Sequence, residues 1–167
     1  MSRAERQARR DQVEEETEAE RLRLMKRSLT DIAWEAMQQG HRIRLTWPGG
    51  SNQGIPAAAV GDLVILRFGS GMVAVNLDVI GSLEVVERRA GSGSTGERTV
   101  ESFVAFCRMA EGTHVSCQVI GGANFDGTLV ATAGDHLYIR PVTGGEAAVA
   151  RSHVATISVA SDVLFSL

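Results

Sequence analysis

The sequence predicts an α+β, mainly β protein: two small barrels, each preceded by a short helix, behind a charged N-terminal arm that is helical or disordered. Three observations carry this. First, the chain repeats itself: Asp31–Leu45 (DIAWEAMQQGHRIRL) and Phe103–Cys117 (FVAFCRMAEGTHVSC) align without a gap at a spacing of 72 residues. Ile32 falls on Val104, Trp34 on Phe106, Met37 on Met109, Gly40 on Gly112 and Ile43 on Val115. Second, each block continues through a glycine-rich turn into short β-type segments with turn signals between them. Third, neither copy has a second helical stretch of the length that a crossover between parallel strands needs, which disfavours a Rossmann-like fold.

In chain order, residues 1–27 form the arm. They hold strong helix formers and eight basic against seven acidic side chains, with few large apolar residues before Leu22. Leu22, Leu24 and Met25 continue no heptad backwards, so a solvated helix or disordered arm is expected and a coiled coil is not. Residues 28–87 are the first unit. Ser28-Leu29-Thr30-Asp31 has the form of a capping box. Leu29, Ile32, Ala33, Ala36 and Met37 make an apolar stripe at helical spacing, and Gly40 ends the helix. His41–Trp47 then alternates, with Ile43, Leu45 and Trp47 on one face and Arg42, Arg44 and Thr46 on the other. Pro48–Gly50 turns the chain, and further strands are expected at Leu63–Phe68, Met72–Leu77 and Val79–Val86. Residues 88–98 are rich in Gly and Ser and read as a flexible linker, the favoured site for a proteolytic nick.

Residues 99–167 are the second unit. Thr99 is the candidate cap, and Val100, Phe103, Val104, Phe106, Cys107 and Met109 are the expected buried side of its helix. Alternating Thr113–Ile120 comes next, then a Gly121–Gly122 turn and strands at Gly127–Thr132, His136–Arg140, Ala147–Ala150 and Val154–Val159. Asp126-Gly127 is a further turn signal. Aromatics make up only 5% of the chain, so Val, Ile, Leu and Ala must fill the cores. A barrel of roughly 50 residues is near the lower limit of independent stability, so the two should gain by packing together or by self-association.

The second copy resembles the Sm-like family, which includes the bacterial Hfq proteins. The match is VSCQVIGGANFDGTLVATAGDHLYI (Val115–Ile139), where Gly122 and Gly127 bracket a turn, Leu129 follows, and Asp135 precedes Leu137 and Ile139. RSHVATISV (Arg151–Val159) has the shape of the family's second motif. The resemblance covers roughly Thr99–Val159, and Ser28–Val86 in degenerate form. It implies a helix followed by five bent antiparallel strands in an Sm/SH3-like barrel, and a uridine-rich RNA site around a ring's pore. The pocket pattern departs, however. Leu137 stands about where the family has asparagine, Ser152 replaces the neighbour of Arg151, and Asn76-Leu77-Asp78 has no adjacent basic residue.

Catalysis has no support in the sequence: no phosphate-binding loop, nucleophile elbow or dinucleotide fingerprint is present. His41, His114, His136 and His153 show no metal-ligand spacing, and no cofactor is expected. Asp62 and Asp135, in matching Gly-Asp turns, are read as turn-forming residues. Cys107 and Cys117 read as buried thiols of a reducing, cytoplasmic setting. No signal peptide or membrane span is expected.

The candidate interaction or nucleic-acid surface is Arg42, Arg44 and Trp47 with Arg67 and Phe68, and a weaker counterpart of Tyr138, Arg140 and Arg151. Arginine beside aromatics suits a single-stranded nucleic acid and equally a protein interface. The chain's net charge is −3, and residues 28–167 alone carry nine basic and thirteen acidic side chains, a net of −4. That balance runs against a phosphate-gripping surface. The expectation is therefore a non-catalytic protein-interaction, scaffold or regulatory module that self-associates as a homo-oligomer. An RNA- or single-stranded-DNA-binding regulator is the alternative.

Overall fold

The computed structural model describes residues 2–89, 93 and 100–160. Helix α1 (Arg3–Lys26) is solvated: it has a capping box between Ser2 and Glu5 and buries none of its residues. Helix α2 (Leu29–Gln39) follows after a two-residue break, capped as expected by the reciprocal Ser28–Asp31 pair and closed by Gly40 at φ 70°. The first unit adds β1 (Arg42–Trp47), β2 (Gly50–Val60), β3 (Leu63–Phe68), β4 (Gly71–Asn76) and β5 (Ser82–Glu87). The second has α3 (Phe103–Met109), β6 (His114–Val119), β7 (Asn124–Thr132), β8 (His136–Pro141), β9 (Ala147–Ala150) and β10 (Val154–Ala160).

The expectation of two small barrels is overturned. All ten strands join one antiparallel open sheet in the order β5-β1-β2-β3-β4-β10-β6-β7-β8-β9. The reason is a single pairing: β4 of the first unit is bonded to β10 of the second, with Ile157 opposite Ala74. Each unit's β hydrogen-bonding capacity therefore runs into its neighbour's rather than closing on itself. At the two ends, among the described residues, β5 pairs with β1 alone and β9 with β8 alone.

Two apolar cores follow from this arrangement. One lies under α2 and gathers Ala33, Ala36, Ile43, Leu45, Val64, Leu66, Val73 and Val75. The other gathers Phe103, Phe106, Cys107, Val115, Cys117, Leu129, Leu137, Ile139 and Ile157, and also takes Leu63, Ile65, Met72 and Ala74 from the first unit. Strands β3 and β4 are thus apolar on both faces: even positions serve one core and odd positions the other in β3, and the reverse holds in β4. Burial at about 25 cal/mol per Å² makes such doubly covered strands the most stabilising part of a sheet.

Some local expectations shift as well. Strand β2 is eleven residues long and runs through Pro56 and Ala57–Val60, with a register shift between Pro56 and Ala58 that absorbs the bend. Asp126 and Gly127 lie inside β7, where Gly127 faces Val115 and Pro141, and form no turn. Ser102 caps α3 by accepting from the Ala105 N–H. Thr99 and much of the expected linker lie outside the described residues.

Candidate interaction surfaces

On β1, the outward arginines are neutralised across the sheet. Arg42 Nε lies 3.5 Å from Glu87, and Arg44 Nη1 lies 3.0 Å from Glu84, both on β5. Arg44 also donates to Gln53 on β2 at 3.3 Å. The arrangement is what alternation dictates: opposite charges directly across an antiparallel pair attract, and Arg44 sits opposite Glu84 in register. The Glu87 carboxyl is held below its ordinary range, first by the hydrogen bond from Arg89 and then by that guanidinium's charge and by Arg42.

Trp47 is not on this face. It is 3% exposed, and its indole lies against Gly50, where a Cβ would come within 2.9 Å of the ring. Arg67 and Phe68 end β3, two strands away from β1. Phe68 is partly exposed, its ring lying over Gly54. Tyr138 and Arg140 are on β8, beyond the junction of the two units. Tyr138 is 43% exposed and meets the His136 ring edge-on, with centroids 4.5 Å apart. Arg151 donates to the Ala133 carbonyl oxygen at 3.2 Å. The structure therefore pairs Arg42 with Arg44 but spreads the other nominated residues over distant strands.

A cleft of about 380 Å³ lies where the two units meet. It is lined by Asp62, Asn76 and Asp78 from the first unit and by Asp135, Arg151 and Ser152 from the second. Its polar groups hold the junction together. Asp62 Oδ1 accepts from the Phe103 N–H at 3.0 Å, tying α3 to the first unit. The buried Asn76 side chain donates to the Val154 carbonyl at 3.0 Å and accepts from the Asp78 N–H at 3.2 Å. Asp135 Oδ1 lies 2.5 Å from His136 Nδ1, a contact that keeps this carboxyl below its ordinary range. So Asp62 does more than shape its own turn: it bridges the two copies. With three carboxylates against one guanidinium, the cleft is electrostatically unsuited to a phosphate.

Three of the four histidines have a polar neighbour at one ring nitrogen, while His136 Nε2 is buried without a hydrogen-bond partner among the described residues. His114 Nε2 meets Asp126 at 2.8 Å, His136 meets Asp135, and His153 meets the Ser152 hydroxyl at 3.3 Å. Among the described residues no group of three or more His, Cys, Asp or Glu is placed to hold a metal ion. Cys107 and Cys117 are both buried and free. Desolvation pushes each thiol up to about 12, with the neighbouring Cys117 adding to the effect at Cys107. Such thiols are poor nucleophiles at neutral pH.

Together these features define a mostly β protein built as one antiparallel sheet from two copies of a helix-plus-five-strand unit. Among the described residues no helix is long and apolar enough to cross a membrane. No protein-family model matches the chain, and no curated protein matches it in sequence.

Proposed function

We propose that this chain is a non-catalytic interaction module that works through the exposed edges of its sheet, as a self-associating scaffold or regulatory subunit. The observation that carries this reading is the open sheet: among the described residues, β5 and β9 each have one bonded neighbour. A free strand edge presents unpaired N–H and C=O groups, which a second strand can complete. The neutralised arginines of β1 and the acidic junction cleft point the same way. The resemblance to Sm-like proteins is compatible with a binding role, and its support is the repeated order of one helix and five antiparallel strands.

A nucleic-acid-binding role is the second reading, favoured by one feature: Arg3, Arg6, Arg9 and Arg10 crowd the first half of the exposed helix α1. The two readings separate in a titration of labelled uridine-rich RNA, followed by anisotropy at low and physiological salt. The interaction module predicts no submicromolar binding at either salt. Tight binding that weakens steeply with salt, and is lost on changing Arg3, Arg6, Arg9 and Arg10 to glutamate, would replace it with the nucleic-acid reading.

A further inference from the structure

Helix α1 lies clear of the sheet: none of its 24 residues is buried. Its first half carries Arg3, Arg6, Arg9 and Arg10. Among the described residues, none of these four side chains makes an ion pair or a hydrogen bond. Arg3, Arg6 and Arg10 stand at i, i+3 and i+7, so they share one face of the helix. The second half differs, because Arg21 and Arg23 are paired with Glu18 and Glu20 one turn earlier. The first half of α1 is thus a capped rod that presents three unpaired guanidiniums in a row, groups shaped to meet carboxylates.

The carboxylates that match this face lie in the junction cleft. Asp62, Asp78 and Asp135 line its volume of about 380 Å³ with Arg151, room enough for side chains and not only for water. Asp78 is exposed, and the Asp135 side chain is 91% exposed, so both are open to a partner. The arm of the same chain does not reach them. Thr30 Oγ1 donates to the Gly61 carbonyl oxygen at 2.5 Å, which pins the start of α2, and with it the end of α1, beside Asp62. From there α1 runs as one unbroken helix, and Arg10 stands about 24 Å from Lys26 at a rise of about 1.5 Å per residue. With none of its residues buried, α1 does not fold back over its own cleft. The fitting occupant is the arm of a second copy.

We propose that two copies of this chain exchange arms, the face of α1 that bears Arg3, Arg6 and Arg10 docking at the cleft of Asp62, Asp78 and Asp135 in the other copy. Each chain has one arm and one such cleft, so reciprocal exchange closes as a two-fold dimer and does not extend into a filament. The attraction is between charges at the surface, so it directs recognition and weakens as salt screens it. The contact uses neither β5 nor β9, and so goes beyond the edge-based interaction and does not depend on it.

The test uses the full chain, treated with nuclease and followed by sedimentation equilibrium at low and high salt. The mass of two chains is expected at low salt, with association weakened about tenfold or more at about 0.5 M salt. Arg3→Glu/Arg6→Glu/Arg10→Glu and, separately, Asp78→Arg are each expected to weaken association by about tenfold or more, since like charges then meet. All four positions are exposed, so the circular dichroism of each variant is expected to match the parent's. Combining the arm and cleft changes in one chain is expected to tighten association about tenfold over the arm variant alone, the response of a direct contact. A single-chain mass at every concentration, or a combined chain no tighter than the arm variant, would overturn the proposal. An assembly that salt and these variants leave unchanged would overturn it too, while leaving the sheet edges as the contact between copies.

Discussion

Gly54 and Gly127 occupy equivalent positions in the two units, facing Ile43 and Val115 respectively, yet their surroundings predict opposite responses to a methyl group. A Cβ on Gly127 would lie 2.1 Å from the Arg140 carbonyl oxygen and 2.7 Å from Pro141 Cα. A carbon and an oxygen approach to roughly 3.3 Å, so β8 would have to recede by about 1 Å, and its backbone has no rotamer with which to yield. Overpacking costs about 1–3 kcal/mol and occasionally more, and a backbone obstacle belongs at the upper end. The loss of chain freedom in the unfolded state returns about 0.4–1 kcal/mol. Gly127→Ala should therefore destabilise by about 2–3 kcal/mol, lowering the urea midpoint by about 0.7–3 M for a slope of about 1–3 kcal/mol/M. At Gly54 the nearest atom is Leu66 Cβ at 3.4 Å, an ordinary contact. Gly54→Ala should leave stability unchanged or raise it, by up to about 1 kcal/mol. Urea unfolding followed by circular dichroism measures both. Equal midpoints for the two variants, or an unshifted Gly127→Ala, would refute the close approach of β8 to β7.

Asn76→Ala should cost about 1–3 kcal/mol in the same urea assay, because the Val154 carbonyl loses its partner in the interior. Ser28→Ala removes the cap of α2 and should cost about 1 kcal/mol. The Asp31 carboxyl is held below its ordinary range, first by the Ser28 backbone N–H and then by its side chain. That contribution is complete above the ordinary carboxylate range and fades as pH falls through the lowered value. Ser28→Ala keeps that backbone N–H, so the variant that removes the titrating group is Asp31→Ala, and its stability gap from the parent should narrow in acid. The thiols act at the other extreme. With Cys107 and Cys117 raised from 9.0 to about 12, the unfolded chain loses these protons first, so stability should fall as pH climbs from 9.0 towards about 12. Urea midpoints measured across that range check this, and replacing both cysteines with alanine should flatten the slope.

The caps and apolar stripe of α2 and the alternation of β1 and β6 were legible because they depend on neighbours within a few residues. The repeat was legible too, but its gapless form misled in the helices. It sets Trp34 against Phe106, whereas Trp34 is 47% exposed and Phe106 fully buried. The caps Ser28 and Ser102 match at a spacing of 74, and then Leu29 meets Phe103, Ile32 meets Phe106 and Ala33 meets Cys107. Strand β2 was hidden because glycine, proline and alanine have weak strand propensity, and its partners on both sides are what hold it extended. The joined sheet was the largest omission. Which edge β4 pairs with is decided by β10, about eighty positions away in the chain, beyond any local pattern. A signal did exist: Leu63–Leu66 and Met72–Val75 are unbroken apolar runs, the mark of strands covered on both faces. The surface residues were the least legible. Arg42 and Arg44 read as free cations until the strand carrying Glu84 and Glu87 was laid beside them.

Strand β10 follows the other nine in the chain yet lies in the interior of the sheet, between β4 and β6. During synthesis, then, the first unit would emerge with one flank of β4 bare and with Leu63, Ile65, Met72 and Ala74 facing solvent. Only when β10 arrives can both halves complete their hydrogen bonding together. Assembly of this protein thus has the character of a zip fastened from its final tooth, which favours a single late cooperative step over two independent ones. Until that step, the nascent chain carries a sticky strand edge of the kind that holding chaperones shield.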